Sequence, residues 1–272
     1  MNCLRLPAAA AFIVLSAAAL FAQMNCEEGD GPLNSNPPQG TTPQDIIRKS
    51  AAKEFIFKQA RNNYTYTQDV TVQTLSGNTV DGEWRRVWDI TYDNKGNRVE
   101  NVTLAPPGTL TRVVLTQEDY DNLRNQPPFL LTTEELLRYD IAYLGVQHVD
   151  EIDTYVFDVT PKHADKSKDQ PHFQGRIWVD SLDFEIVKTC GKTMREVHAT
   201  KGENFYPGFV TYREQIDGQY WFPTYSRADD DLHFTGNDVH IREIIKYTNY
   251  KRVGSHTRVI FKDETPPGQT PK

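Results

Sequence analysis

Two hydrophobic periods follow one another along this chain. Residues 44–62 contain neither Gly nor Pro, and their apolar positions recur at helical spacing. A threonine before Pro43 and the acid Asp45 in the first turn are typical of a helix start. The pattern predicts an amphipathic helix that needs a surface to pack on. Its predicted buried face consists of Ile47, Ala51, Phe55 and the stem of Lys58.

After residue 62 the period changes to two, and β-branched and aromatic residues alternate with polar ones between Gly- and Asn-containing turns. This alternation is typical of antiparallel strands with one solvated face. The first strands are predicted at residues 64–74, 83–93 and 98–104. Later strands are predicted at residues 147–158, 173–180, 184–190, 209–217, 219–227, 239–250 and 257–261.

Residues 106–144 interrupt the strands. Residues 117–124 and 132–143 have helical patterns, and the second begins with Thr132 or Thr133 followed by Glu135, as in a capping box. Neither segment is long enough to bury a core of its own. The sequence therefore predicts an α+β fold, with about ten antiparallel strands, an N-terminal helix and short inserted helices. A sheet of this size curls, so we expect a large curved sheet wrapped over the helices.

Both ends of the chain differ from its middle. Arg5, an apolar run over residues 8–22 and small residues near Ala19 and Ala22 predict a secretory signal peptide over residues 1–22. A membrane anchor is the alternative, but the run is shorter than the roughly 20 apolar residues that span a bilayer. We expect a periplasmic or secreted protein without a stable transmembrane segment after cleavage. Residues 23–43 and 263–272 are poor in large apolar side chains and are predicted to be a disordered linker and tail around one domain, residues 44–262.

Cysteine is sparse, so a domain held together by several disulfides is excluded. Cys3 belongs to the predicted signal peptide, which leaves Cys26 and Cys190. Lipidation of Cys26 is disfavoured, because the preceding Gln-Met-Asn lacks the small residues of a lipidation signal. A disulfide between Cys26 and Cys190 is one alternative and two free thiols the other, and the sequence leaves both open.

Charge and motifs limit the classes of function. The net charge is −7 and no basic stripe is present, which excludes nucleic acid as the main partner. The sequence has no G-x-S-x-G, H-E-x-x-H, P-loop or C-x-x-C motif. The run of aspartates at 229–231 with His233 lacks the spacing of a calcium loop. We therefore expect a protein that is not an enzyme and uses no cofactor and no metal.

A stretch near the middle of the chain resembles a known family. The segments YVFDVTPK (155–162), FQGRIWVD (173–180) and DFEIVK (183–188) look like the LolA/LolB-like outer-membrane lipoprotein-sorting family, and the similarity extends over residues 155–250. The resemblance implies an exported half-barrel whose apolar cavity receives lipoprotein acyl chains. Related half-barrels serve as envelope sensors that bind a protein partner. The longer segment 106–144 departs from the typical carrier.

The apolar strand faces are the candidate ligand site. In a curved sheet they point inward, where they either pack on the helices or line a cavity, and their many Tyr and Trp residues favour a cavity mouth. Trp178 lies on the opposite face, beside Gln174 and Arg176, and is expected to be half-exposed. We expect a binding protein for lipoprotein acyl chains or another lipid; the alternative is a sensor that contacts an envelope protein. The predicted site residues are Tyr64, Tyr66, Val70, Val72, Trp84, Trp88, Ile90, Tyr92, Tyr155, Phe157, Ile177, Val179 and Ile186.

Overall fold

A computed structural model of the chain describes residue 26 and residues 30–93, 95, 97–125, 129–162, 172–194, 207–234 and 236–253. The helices are α1 (Pro43–Ala60) and α2 (Gln117–Asn125), and single 3-10 turns cover Arg61–Asn63 and Glu135–Arg138. The strands are β1 (Tyr64–Ser76), β2 (Thr79–Tyr92), β3 (Arg98–Leu104), β4 (Tyr139–Val149), β5 (Ile152–Pro161), β6 (His172–Asp180), β7 (Ile186–Met194), β8 (Phe209–Ile216), β9 (Tyr220–Phe234) and β10 (Asn237–Arg252).

All ten strands belong to one open antiparallel sheet in the order β3-β2-β1-β10-β9-β8-β7-β6-β5-β4. Neighbouring strands are joined mostly by short turns, so contacts between them are local in sequence, except that β1 pairs with β10. The predicted α+β fold, a curved sheet of about ten strands over an N-terminal helix, is confirmed. We call the face that contacts α1 the inner face and the opposite face the outer face.

Helix α1 begins where the sequence predicts. Thr42 is its N-cap, Pro43 is in its first turn, and the Thr42 hydroxyl accepts a 3.1 Å hydrogen bond from the backbone N–H of Asp45. Ile46 packs in an apolar cluster of β5, β6 and β7 that includes Phe157 and Ile177. The helix therefore lies across the inner face of the sheet.

The predicted buried face of α1 is correct at Ala51, which is buried, and at Ile47, which packs against the cluster around Ile46, but the helix is rotated so that Phe55 faces outward. Phe57 is 1% exposed and packs on Tyr64 and Phe222, whereas Phe55 is 41% exposed. The buried face also contains Glu54, which forms an ion pair with Arg213 of β8 at 2.8 Å with both side chains buried. An acid is usually assigned to the solvent face, and the ion pair with Arg213 is what allows Glu54 to lie on the buried face beside Phe57.

The segment before α1 differs from the expected linker. Asn34 and Val146 of β4 exchange two backbone hydrogen bonds of 2.9 and 2.8 Å, and the Gly31 N–H donates to the His148 carbonyl at 2.8 Å. Cys26 forms a disulfide with Cys190. We call Cys26 and residues 30–36 the N-terminal strap. The strap contains few apolar residues, but backbone hydrogen bonds and one disulfide attach it to the sheet. Amino-acid composition does not reveal these attachments.

The strap also explains why Trp178 was mispredicted. Trp178 lies on the outer face, as its alternation with Ile177 predicts, but it is fully buried rather than half-exposed. Its indole N–H donates to Gln147 Oε1 at 2.7 Å, and Gln147 Nε2 donates to the Gly31 carbonyl of the strap at 2.8 Å. A second apolar cluster thus lies on the outer face, beneath Leu33 and the disulfide.

Two elements differ from the predicted pattern. Residues 132–143 form a single 3-10 turn and the start of β4 rather than a helix, because Tyr139 and Ile141 turn their side chains into the inner-face cluster. Residues 147–158 form parts of two strands, which turn at Asp150 with φ of 51°. The predicted signal peptide, tail and strand 257–261 lie outside the described residues. Among the helices of the described part, none is long and apolar enough to cross a membrane.

Candidate apolar ligand site

A group of aromatic side chains on the inner face surrounds two tryptophans of β2. Trp84 and Trp88 are 6% and 4% exposed, and their ring centroids are 6.2 Å apart. Alternation along β1, β2 and β10 brings every second side chain to this face. We call the group the tryptophan cluster; its buried members are Val70, Val72, Trp84, Trp88, Ile90, Leu123, Ile245 and Tyr247.

Residues 105–125 cover the tryptophan cluster, and we call them the cover segment. Residues 105–116 contain no helix or strand, and α2 has only nine residues, most of them polar. The apolar side chains that the cover segment places on the cluster are Leu110, Leu115, Tyr120 and Leu123. The cluster is therefore closed by a few side chains on irregular backbone, whereas α1 covers its part of the inner face with an 18-residue helix.

Polar contacts hold the cover segment at its margins. The Thr109 N–H donates to the Glu83 carbonyl at 2.7 Å, and Arg112 donates to the Leu75 carbonyl at 2.6 Å. At the α2 end, the buried Gln68 amide donates to the Leu123 carbonyl at 3.0 Å. Each of these groups can exchange its partner for water, so detaching the segment costs mainly its apolar contacts.

The predicted site residues all lie on the inner face, but they fall into separate groups. Tyr66, Val70, Val72, Trp84, Trp88, Ile90 and Tyr92 belong to or contact the tryptophan cluster. Tyr155, Phe157, Ile177, Val179 and Ile186 belong to or contact the cluster beneath Ile46 of α1. Tyr64 packs on Phe57. The group beneath Ile46 is a core covered by helix α1. Of these groups, only the one at the tryptophan cluster lies under irregular backbone.

Tyrosines of β1, β2 and β10 form the margin of the tryptophan cluster towards α1. Tyr66 stacks on Tyr250 at 5.2 Å and contacts Tyr247 at 6.1 Å. Burial raises the pKa of Tyr247 and of Tyr250 well above the usual range, so both stay neutral. The sequence prediction omitted Tyr247, Tyr250 and Ile245, although Ile245 and Tyr247 lie at alternate positions of the correctly predicted strand 239–250.

A carboxyl group also lies on this face. Glu243 of β10 is opposite Val72 of β1 and two residues from Ile245, so it shares the inner face with the tryptophan cluster. Burial raises its pKa to about 7. The described residues form no ion pair with it. Near neutral pH this margin of the cluster is therefore only partly charged.

The aspartate run is divided between the two faces of β9. Asp229 and Asp231 accept hydrogen bonds from the two ring nitrogens of His240 at 2.6 and 2.7 Å, whereas Asp230 pairs with Lys192 at 3.1 Å. Although burial of His240 acts to lower its pKa, the hydrogen bonds to Asp231 and Asp229 raise it overall. Within the described ranges, no group of three or more His, Cys, Asp and Glu side chains is arranged to hold a metal ion.

Two surface hollows lie outside the tryptophan cluster. One of about 350 Å³ is lined by Asp30, Tyr212 and Tyr225 beside the strap. The other, of about 250 Å³, is lined by Ile56 and Tyr64 near the end of α1. Neither contains a residue of the tryptophan cluster.

No protein-family model and no curated protein matches the sequence. Solved structures that resemble this chain include a DUF1329 family protein from Desulfovibrio piger (13% identity, TM-score 0.36, 79% of this chain and 94% of that one). They also include a LolA superfamily protein from Nitrosomonas europaea (13%, 0.31, 80% and 96%). A third is a chain of the MucA/MucB complex from Pseudomonas aeruginosa (9%, 0.22, 78% and 99%). Similarities of this degree carry no function over.

Proposed function

We propose that this chain is an exported, non-catalytic binding protein that holds an acyl chain of a lipoprotein or another lipid on the inner face of its sheet. The supporting observation is the cover over the tryptophan cluster. Two tryptophans and several aliphatic side chains lie under irregular backbone that contributes only a few apolar side chains of its own. An acyl chain would take the place of Leu110, Leu115, Tyr120 and Leu123.

The affinity depends on the difference between two apolar contacts: that of the acyl chain with the tryptophan cluster and that of the cover segment which it displaces. Each CH₂ transferred from water is worth roughly 0.8 kcal/mol, so a fully buried chain of about 16 carbons approaches about 12 kcal/mol. The side chains of the cover segment lose their own burial when they leave, which offsets part of this gain. We expect micromolar affinity for a lipid with one acyl chain, which suits a carrier that must release its cargo.

The native cargo is tested by mass spectrometry of the protein purified from its own cell envelope. Co-purification of an acylated molecule in stoichiometric amount supports the proposal. Recovery of lipid-free protein with a stoichiometric protein partner supports the alternative below.

The alternative function is an envelope sensor that contacts a protein partner. One observation favours it: β3 forms an end of the sheet, and its residues Val102 and Leu104 are 49% and 43% exposed. A free strand edge with exposed apolar side chains can pair with an extended peptide of another protein. The opposite edge strand, β4, is partly paired by the strap through Asn34.

A further inference from the structure

The solvent face of α1 exposes two neighbouring large apolar side chains. Phe55 is 41% and Ile56 is 52% exposed. At about 100° per residue, both lie on the side of the helix opposite Ser50 and Glu54, which are buried against the sheet. Phe57 already supplies the buried aromatic contact of this turn. The fold therefore does not use Phe55 and Ile56 for its core.

Lysines flank this apolar pair on both sides. On the helical wheel, Lys49 and Lys53 lie on one flank and Lys58 on the other. Within the described residues none of these lysines forms an ion pair; Lys49 lies over the ring of Phe184 at 4.5 Å. We call Phe55, Ile56, Lys49, Lys53 and Lys58 the α1 patch.

The acids of the helix do not cancel these charges. Asp45 is paired with Arg48 at 2.7 Å, and Glu54 is buried in its pair with Arg213. Glu185 acts on Lys53 and offsets part of that one charge. The α1 patch is thus a positively charged surface on a chain whose net charge is −7.

We propose that the α1 patch docks the protein on an anionic lipid surface. An aromatic and a branched aliphatic side chain between lysines is the pattern of helices that lie in a membrane interface, where the apolar side chains enter the headgroup region and the ammonium groups reach anionic headgroups. A protein surface could also contact the apolar pair, but lysines on both flanks of the pair are complementary to a surface that carries negative charge on every side of the contact, as an anionic lipid surface does. Docking is weak and reversible, because only two apolar side chains insert.

This surface is separate from the tryptophan cluster, and its test does not depend on the acyl-chain site. The measurement is co-sedimentation with vesicles of phosphatidylcholine alone or with about one-third phosphatidylglycerol. We expect binding to the anionic vesicles only, with loss of binding in 0.5 M salt, where the Debye length is about 4 Å compared with about 10 Å at 0.1 M. All variants have the same N-terminal end, so any contribution of the apolar run 8–22 cancels between them.

Three variants locate the contact. Phe55→Ser/Ile56→Ser should weaken binding to anionic vesicles at least tenfold, and Lys49→Glu/Lys53→Glu by a similar factor or more. The matched control is Leu137→Ser/Leu182→Ser, since these side chains are 79% and 84% exposed and lie outside both the α1 patch and the cover segment. It should bind like the unmodified chain. Because all these positions are exposed, the melting temperatures should agree within a few degrees.

Two results would overturn the proposal. One is equal loss of vesicle binding in the control and in Phe55→Ser/Ile56→Ser. The other is that the unmodified chain does not bind anionic vesicles and is a dimer in solution, and that Phe55→Ser/Ile56→Ser converts this dimer to a monomer. That result would assign the α1 patch to contact with a second copy of the chain. Fatty-acid binding at the tryptophan cluster is expected to be unchanged in every variant.

Discussion

Lys188 donates a 2.6 Å hydrogen bond from its ammonium group to Oδ2 of Asp30, and neither side chain is more than 3% exposed. The ammonium also lies 4.7 Å from the ring centre of Trp178. Asp30 belongs to the strap and Lys188 to the outer face of β7, so the strap provides the counter-charge that allows a lysine to be buried there.

Removal of Asp30 should therefore destabilise the protein strongly. Asp30→Ala leaves an uncompensated ammonium in an apolar cluster and should lower the free energy of unfolding by about 3–5 kcal/mol. The double variant Asp30→Leu/Lys188→Met removes both charges and should lie within about 2 kcal/mol of the unmodified chain. Urea unfolding of the three proteins measures both effects. An unchanged stability of Asp30→Ala would show that the strap does not cover Lys188 in solution.

The disulfide should add to the same attachment. Cys26 and Cys190 are 164 residues apart, so breaking their bond frees a long loop in the unfolded chain. Cys190→Ser should lower the free energy of unfolding by about 2–5 kcal/mol, and a reducing agent should lower the melting temperature of the unmodified chain. Cys26→Ser is the matched variant: it should melt like Cys190→Ser, and neither variant should respond to the reducing agent. An equal melting temperature of the unmodified chain with and without the reducing agent would contradict the disulfide between Cys26 and Cys190.

The orientation of α1 can be tested with two phenylalanines of the same helix. Phe57→Ala removes a buried ring from contact with Tyr64 and Phe222 and should cost about 3–5 kcal/mol. Phe55→Ala removes an exposed ring and should cost less than about 1 kcal/mol. Thermal or urea unfolding distinguishes them. Equal costs, or the reverse order, would restore the orientation that the hydrophobic period predicts.

The strands were predictable because the alternation of apolar and polar residues within each strand depends only on which of its faces is buried. Alternation along residues 64–74 and 83–93 follows from one face being buried and one solvated, and turns marked by Gly and Asn separate the strands. The early strands, and the face on which the predicted site residues lie, were therefore correct without any knowledge of the partners. The fold class followed from the strand count.

Features that depend on two distant residues could not be predicted. The rotation of α1 depends on Glu54 meeting Arg213, and the burial of Trp178 depends on a strap that composition marks as disordered. Residues 132–143 are a further case, because Tyr139 and Ile141 pack in the inner-face cluster and the segment runs into β4 instead of forming a helix. In each case the deciding contact joins residues far apart in the sequence, where a local period carries no signal.

Stability should depend on pH through Glu185. Burial, and next the charge of Glu54, raises the pKa of Glu185 to about 7. An acid whose pKa is raised on folding favours the fold when protonated, so its contribution is fully present below about pH 4.5 and is lost as the pH rises to about 7. Glu185→Gln should be more stable than the unmodified chain at pH 8, by about 1–3 kcal/mol, and nearly equal to it at pH 4.5.

Unfolding curves at the two pH values measure this difference. Glu243, whose pKa is also raised to about 7, is present in both proteins and cancels from the comparison. A stabilisation by Glu185→Gln that is the same at pH 4.5 and pH 8 would show that Glu185 is not the titrating group.

Tryptophan quenching by a brominated fatty acid tests the acyl-chain site most directly. Bromine quenches indole emission on contact, and the four tryptophans divide between the faces: Trp84 and Trp88 lie in the tryptophan cluster, whereas Trp178 and Trp221 belong to the outer-face cluster. Dibromostearate below its micelle concentration should quench the unmodified chain with micromolar half-saturation, while oleate should not. Quenching should persist in Trp178→Phe/Trp221→Phe and disappear in Trp84→Phe/Trp88→Phe. Emission that stays constant at saturating dibromostearate in the folded protein, or quenching confined to Trp178 and Trp221, would contradict an acyl-chain site on the inner face.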